Sequence, residues 1–209
     1  MGDVVKFVSL GGSCCMIFQI IQYVGKEETF FFDWLVSNSF NDVTKVFRSH
    51  DRPEDILGGP ESFSVLRFKR DKVEVKFNNL DATHSVHDVT RSSMQDSMEL
   101  LLEKYKRRMK RTIDLVRGSD RLFFFRLSSD FLSDAHKENF DRAIMGINEN
   151  CDYKLFCLYN KCEADSVSED GKFVEIRLRN DDPESDDWRL FHLNWDLVFD
   201  TAVRISGSG

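Results

Sequence analysis

No stretch of the chain approaches the roughly 18 consecutive apolar residues that a membrane-spanning helix needs. The start, Met1-Gly2-Asp3-Val4-Val5-Lys6, lacks the basic region and long apolar run of a secretory leader. Neither membrane insertion nor export is expected, and a cytoplasmic setting, in the source cell or in a host cell, follows. The five cysteines, at 14, 15, 151, 157 and 162, are odd in number and follow no paired spacing, so they read as thiols in a reducing compartment. Positive charge is short as well. Lys and Arg number 29 against 36 Asp and Glu, and the net charge of −7 repels a phosphate backbone on average, which disfavours nucleic acid as a partner. There is no internal repeat, and no low-complexity tract before Ser206-Gly207-Ser208-Gly209, which reads as a flexible tail.

What is present suits one globular unit. The 209 residues are 41% hydrophobic and 31% charged, enough for a single α/β domain over 1–205. A load of 19 Phe predicts a thick core and room for an apolar cleft. Val4 to Leu10 reads as a strand buried on both faces and central in a sheet. Gly11-Gly12-Ser13 breaks it, Ser13 serves as N-cap, and Cys14 to Val24 carries apolar residues at helical spacing. Phe63–Lys69 and Lys72–Phe77 read as a peripheral hairpin. Met94 to Val116 carries a sustained helical stripe closed by Gly118. Beyond it, strand, helix, strand and strand are predicted over Arg121–Leu127, Asp134–Asn148, Tyr153–Tyr159 and Lys172–Arg179. Glu163–Gly171 and Asn180–Asp187 read as loops, and Trp188–Val203 as a C-terminal helix. This alternation predicts a mostly parallel central sheet flanked by helices.

Chemistry concentrates at two places. Cys14 stands in the first turn of a helix, where the positive end of the dipole and unpaired amides favour a thiolate and can receive an oxyanion at Gly11, Gly12, Ser13 or Cys15. The plain alternative is that Cys14 and Cys15 are small core hydrophobes. Asp81-Ala82-Thr83-His84-Ser85-Val86-His87-Asp88 lies between a strand and the long helix and supplies His84 and His87 as candidate bases. Asp88 or Asp33, the latter set among aromatics in Phe30-Phe31-Phe32-Asp33-Trp34-Leu35, would orient the imidazole. His84, His87 and Asp88 could also hold zinc with a thiolate, although no paired cysteines accompany them. Gly11-Gly12 resembles a phosphate cradle but has neither the dinucleotide spacing nor a P-loop lysine. The run Lys104, Lys106, Arg107, Arg108, Lys110, Arg111 is a candidate protein-partner surface over 104–111 or a solvated helix face. No cofactor is expected.

Ser9-Leu10-Gly11-Gly12-Ser13-Cys14, Phe32-Asp33-Trp34, His87-Asp88, Tyr105-Lys106-Arg107-Arg108 and the strand ending Phe125-Arg126 together resemble a family of papain-like cysteine peptidases, the domain of unknown function numbered 1796. The resemblance spans most of the first 130 residues. It implies a nucleophile at Cys14, a histidine at His87, a third residue at Asp88 or Asp33, and a peptide or amide-bearing substrate. It also implies an alternative fold, α+β, with the cysteine helix against an antiparallel sheet. The chain departs from the family in carrying Phe31 where proline is usual and in adding Cys15.

Overall fold

The computed structural model describes residues 5–25, 28–69, 72–90, 94–118, 120–128, 130–185 and 187–207, with backbone alone for 68–69, 72, 86–90 and 94–96. β1 (Val5–Ser9) runs into α1 (Cys14–Val24), and β2 (Leu35–Ser37), α2 (Phe40–Arg48) and a short α3 (Glu54–Leu57) follow. Next come β3 (Phe63–Lys69), β4 (Lys72–Phe77), β5 (Thr83–Thr90) and the long α4 (Met94–Arg117). β6 (Arg121–Ser128), α5 (Asp134–Ile147), β7 (Tyr153–Cys162), β8 (Ser166–Asp170), β9 (Phe173–Arg179) and α6 (Trp195–Ser206) complete the chain.

The first sheet has the order β1-β6-β7-β9-β8 and is parallel throughout except for β8 against β9. The protein is therefore of the α/β class, with a mostly parallel sheet flanked by helices. Period-two alternation in β6 divides the core. Phe123 and Phe125 face α1 and α6 with Met16, Ile20, Val198 and Phe199, whereas Phe124 faces α2 and α5 with Phe47 and Phe140. Each fully buried Phe contributes about 1.5–3 kcal/mol of transfer free energy.

The second sheet, β2-β5-β4-β3, is antiparallel. The hairpin read as peripheral forms its outer edge, and buried Phe63 and Phe77 pack against Tyr105 of α4.

Four local expectations are corrected. β1 lies at an edge of its sheet, because helical layers bury an edge strand as well as a central one. Residues 83–90 are a strand where a connecting segment was expected. Thr83 and Ser85, the buried positions among its described side chains, are polar and give no apolar signature there. Ser166–Asp170 is also a strand, exposed along most of its length and hence without an apolar signature. Finally, the last helix starts seven residues later than predicted. Leu190 adopts a left-handed φ of 54°, and Asn194 caps the helix by accepting from the Leu197 amide at 3.2 Å. That helix runs through Ser206, into the stretch read as tail.

Candidate active site

The site forms where the parallel strands end. The Leu10 amide donates to the Phe125 carbonyl at 2.8 Å, after which Gly11 and Gly12 turn the chain at φ of 73° and 91°. Gly12 is pressed against β6: a Cβ there would stand 1.9 Å from the Leu127 carbonyl oxygen. Gly11 lies against the next motif, its Cβ position 3.6 Å from Phe32 Cβ and from the Leu35 carbonyl oxygen. Leu35 in turn is paired with Ser85 of β5, the strand that holds His87 two residues further on. Backbone register thus brings the glycine turn, the Phe-Asp-Trp turn and the histidine strand into one neighbourhood.

Ser13 is the N-cap of α1 and accepts from the Cys15 amide at 3.3 Å. Cys14 is the first helical residue and is 9% exposed; Cys15 is fully buried. Burial pushes the Cys14 thiol up from its ordinary value, while its own amide and the Ser13 hydroxyl pull the other way. The lowered thiol expected from the helix terminus alone is therefore not what the resting site has, because desolvation outweighs the hydrogen bonds to the sulfur. Burial carries Cys15 to about 12, which makes it the inert member of the pair. The oxyanion role also narrows. The Gly11 amide is committed to Ser9 Oγ at 3.1 Å and the Cys15 amide to Ser13, leaving Gly12 and Ser13, whose amides donate to no acceptor among the described residues.

Asp33 is fully buried and accepts from the Phe30 amide at 2.7 Å, closing its own turn. That turn is clamped to α4: Thr112 Oγ1 accepts from the Phe31 amide at 3.0 Å, Arg108 donates to the Asp33 carbonyl at 3.3 Å, and Arg111 donates to the Thr29 carbonyl at 3.2 Å. Two of the six residues of the basic run thus point inward and hold backbone. The side chains of His87 and Asp88 lie outside the described residues. His84 is half-buried, and burial pushes its imidazole down, opposed by Glu74 and helped by Arg67. It opens on a shallow hollow of ≈ 200 Å³ next to the glycine turn's cleft, and Asn38 lines both. Among the described residues no group of three His, Cys, Asp or Glu side chains is placed to hold a metal ion.

Beside the glycine turn a polar cleft of ≈ 270 Å³ opens between the ends of β1, β6 and β7, lined by Gly12, Ser13, Ser37, Arg126, Ser128 and Lys161 among others. Arg126 and its surroundings are what sequence reasoning missed. The strand motif named Arg126 without giving it a task, and in the structure it is 2% exposed at the cleft. Its guanidinium donates to the Leu10 carbonyl at 2.8 Å and to the Ser37 carbonyl, tying β1 to β2 across the cleft floor. Nearby Asp42, also buried, accepts from the Asp81 and Ala82 amides at 2.8 and 2.9 Å and from Thr83 Oγ1 at 2.7 Å. Charged residues within apolar runs were the signal available: Asp42 sits in the apolar pattern of α2, and Arg126 follows a run of three Phe.

The family model described as "Putative papain-like cysteine peptidase (DUF1796)" matches residues 5–141. The chain belongs to that family. The match includes the glycine turn, Cys14, Asp33, His87, Asp88 and Arg126, and it stops before β7. The comparisons with curated proteins and with solved structures return no match. In this member the cysteine helix packs on a parallel sheet, and no helix among the described residues is long and apolar enough to cross a membrane.

Proposed function

We propose that the protein is a cysteine-dependent hydrolase or acyl transferase in which Cys14 is the nucleophile and His87 its base. The observation that carries this reading is the position of Cys14: first in α1, directly after a turn whose Gly12 and Ser13 line an open polar cleft. In the proposed cycle the Cys14 sulfur attacks a substrate carbonyl and His87 takes the thiol proton. The turn amides receive the tetrahedral oxyanion, and His87 returns the proton to the leaving amine as the C–N bond breaks. Water, or another acceptor, then opens the thioester. Because burial raises the resting thiol, the imidazole has to supply the thiolate.

Peptide or amide-bearing compounds are the proposed substrates, in a reducing compartment that keeps the thiols free. The exposed part of the basic run, Lys106, Arg107 and Lys110, is a second proposed contact, for an acidic protein surface. The deciding experiment is iodoacetamide alkylation of each cysteine against pH, read by mass spectrometry, in wild type and His87→Ala. Cys14 should react at neutral pH in the wild type and lose that reactivity without His87. Equal Cys14 rates in the two proteins would remove the enzyme reading.

A further inference from the structure

Arg126 is a buried cation with no carboxylate in contact with it among the described residues. It is 2% exposed, no carboxylate among the described residues lies within 4.0 Å of it, and its Nε has no hydrogen-bond partner. Its two recorded partners are neutral carbonyls, of Leu10 and Ser37. An uncompensated charge in the interior is costly, and proteins that retain one pair it or use it. Asp42 acts on it through space, and that carboxylate is already occupied by two amides and a hydroxyl.

The cleft above this cation is built for the missing charge. Arg126 lines it, the N-terminal turn of the eleven-residue α1 opens on it through Gly12 and Ser13, and Asn38, Asn160 and Lys161 complete the wall, while Ser128, also in the lining, donates its hydroxyl to the Asp130 carbonyl at 2.8 Å. Helix N-terminal amides, carboxamides and two cations form a donor set that matches an oxyanion. Asp130, exposed at the mouth, is the one acidic residue of the lining and works against an anion there.

We infer that this cleft binds a ligand through a carboxylate or phosphate group seated between Arg126, Lys161 and the Gly12–Ser13 turn. Where Cys14 acts as proposed, this names its substrate class: acyl compounds that carry a second, anionic group close to the reacting carbonyl. The inference rests on the cleft and not on the thiol, so Cys14→Ala should leave anion binding unchanged while abolishing alkylation at that position.

The test is a thermal-shift and calorimetric titration of the full chain with inorganic phosphate and, separately, with succinate, each against sodium chloride of equal ionic strength. A saturable rise in Tm with either anion, absent with chloride, is expected; the anion that gives it identifies a phosphate-bearing or carboxylate-bearing ligand. Lys161→Ala should weaken binding by about two- to fivefold, the value of an exposed charge, and Asp130→Asn should tighten it by a similar factor. Arg126→Gln should weaken it by about tenfold or more. Arg126 also holds two backbone carbonyls, so if that variant does not fold, Lys161→Ala and Asp130→Asn decide. No saturable response to either anion, or a response that neither of those two variants changes, would overturn the inference. Equal Cys14 alkylation rates in wild type and His87→Ala, with anion binding intact, would sink the enzyme reading alone.

Discussion

Gly12→Ala tests the geometry on which the whole site depends. The left-handed φ of 91° costs a non-glycine residue about 1–2 kcal/mol, of which about 0.4–1 is recovered because alanine stiffens the unfolded chain. The new Cβ would meet the Leu127 carbonyl oxygen at 1.9 Å and the carbonyl carbon at 2.9 Å. Both belong to the backbone of β6, which is held between β1 and β7 and cannot swing aside as a side chain would. Opening the contact by more than an ångström adds overpacking strain of about 1–3 kcal/mol, for an expected total near 3 kcal/mol. Gly11→Ala is the matched control. Its φ is 73°, yet its Cβ would meet only ordinary contacts at 3.5–3.6 Å, so backbone strain alone applies and about 1 kcal/mol is expected. Urea unfolding at constant m-value measures both. A Gly12→Ala loss no greater than that of Gly11→Ala would show that the turn is not pressed on β6, and the placement of Cys14 argued from it would fail.

Asp42→Ala should cost about 3 kcal/mol in the same assay, because it leaves two amides and the Thr83 hydroxyl without an acceptor in the interior. Ser13→Ala should cost about 1 kcal/mol for the lost cap and should slow Cys14 alkylation at fixed pH, since the Ser13 hydroxyl is one of the groups holding that thiol down. In the native protein Cys15, pushed by burial to about 12, should stay unmodified after Cys14 is fully alkylated; modification of both at one rate would contradict the assigned burial. At Asp141, burial pushes the carboxyl up, but hydrogen bonds from Lys172 at 2.7 Å and Tyr153 at 2.6 Å outweigh it and hold the folded value below the usual range. A depressed folded value stabilises above the unfolded pKa of about 3.9 and is lost as pH falls through the folded one. Asp141→Asn should therefore be less stable than wild type at neutral pH, and the gap should close on acidification; a gap that persists in acid would refute the assignment.

Residues whose burial is apolar announced their structure. The Val5–Leu10 run, the Arg121–Leu127 run and the stripe on α4 were legible because a buried strand or helix face has to be written in Val, Leu, Ile and Phe. Illegible stretches were those where polar residues are inside or a strand is outside. Thr83 and Ser85 are buried but hydrogen-bond-rich, so β5 read as a linker. Ser166–Asp170 pairs through its backbone with little of it buried, so nothing in its side chains reports the pairing. The same limit applies to the site. The position of Cys14 followed from a glycine break and a helical pattern, both local signals. The roles of Arg126 and Asp42 depend on residues more than 80 and about 40 positions away, such as Ser37 and Thr83, and local spacing does not show such distances. Desolvation of the thiol is likewise a property of the packed site, invisible to an argument from helix position.

The cleft is assembled from two parts of the chain. The thiol turn, Ser37 and Arg126 fall within the residues the family shares, whereas Asn160 and Lys161, at the end of β7, fall after them. Part of the lining therefore falls inside the family match and part outside it. On the proposed reading, substitutions at the tip of β7 would change what the cleft accepts while leaving Cys14 and the turn before it in place.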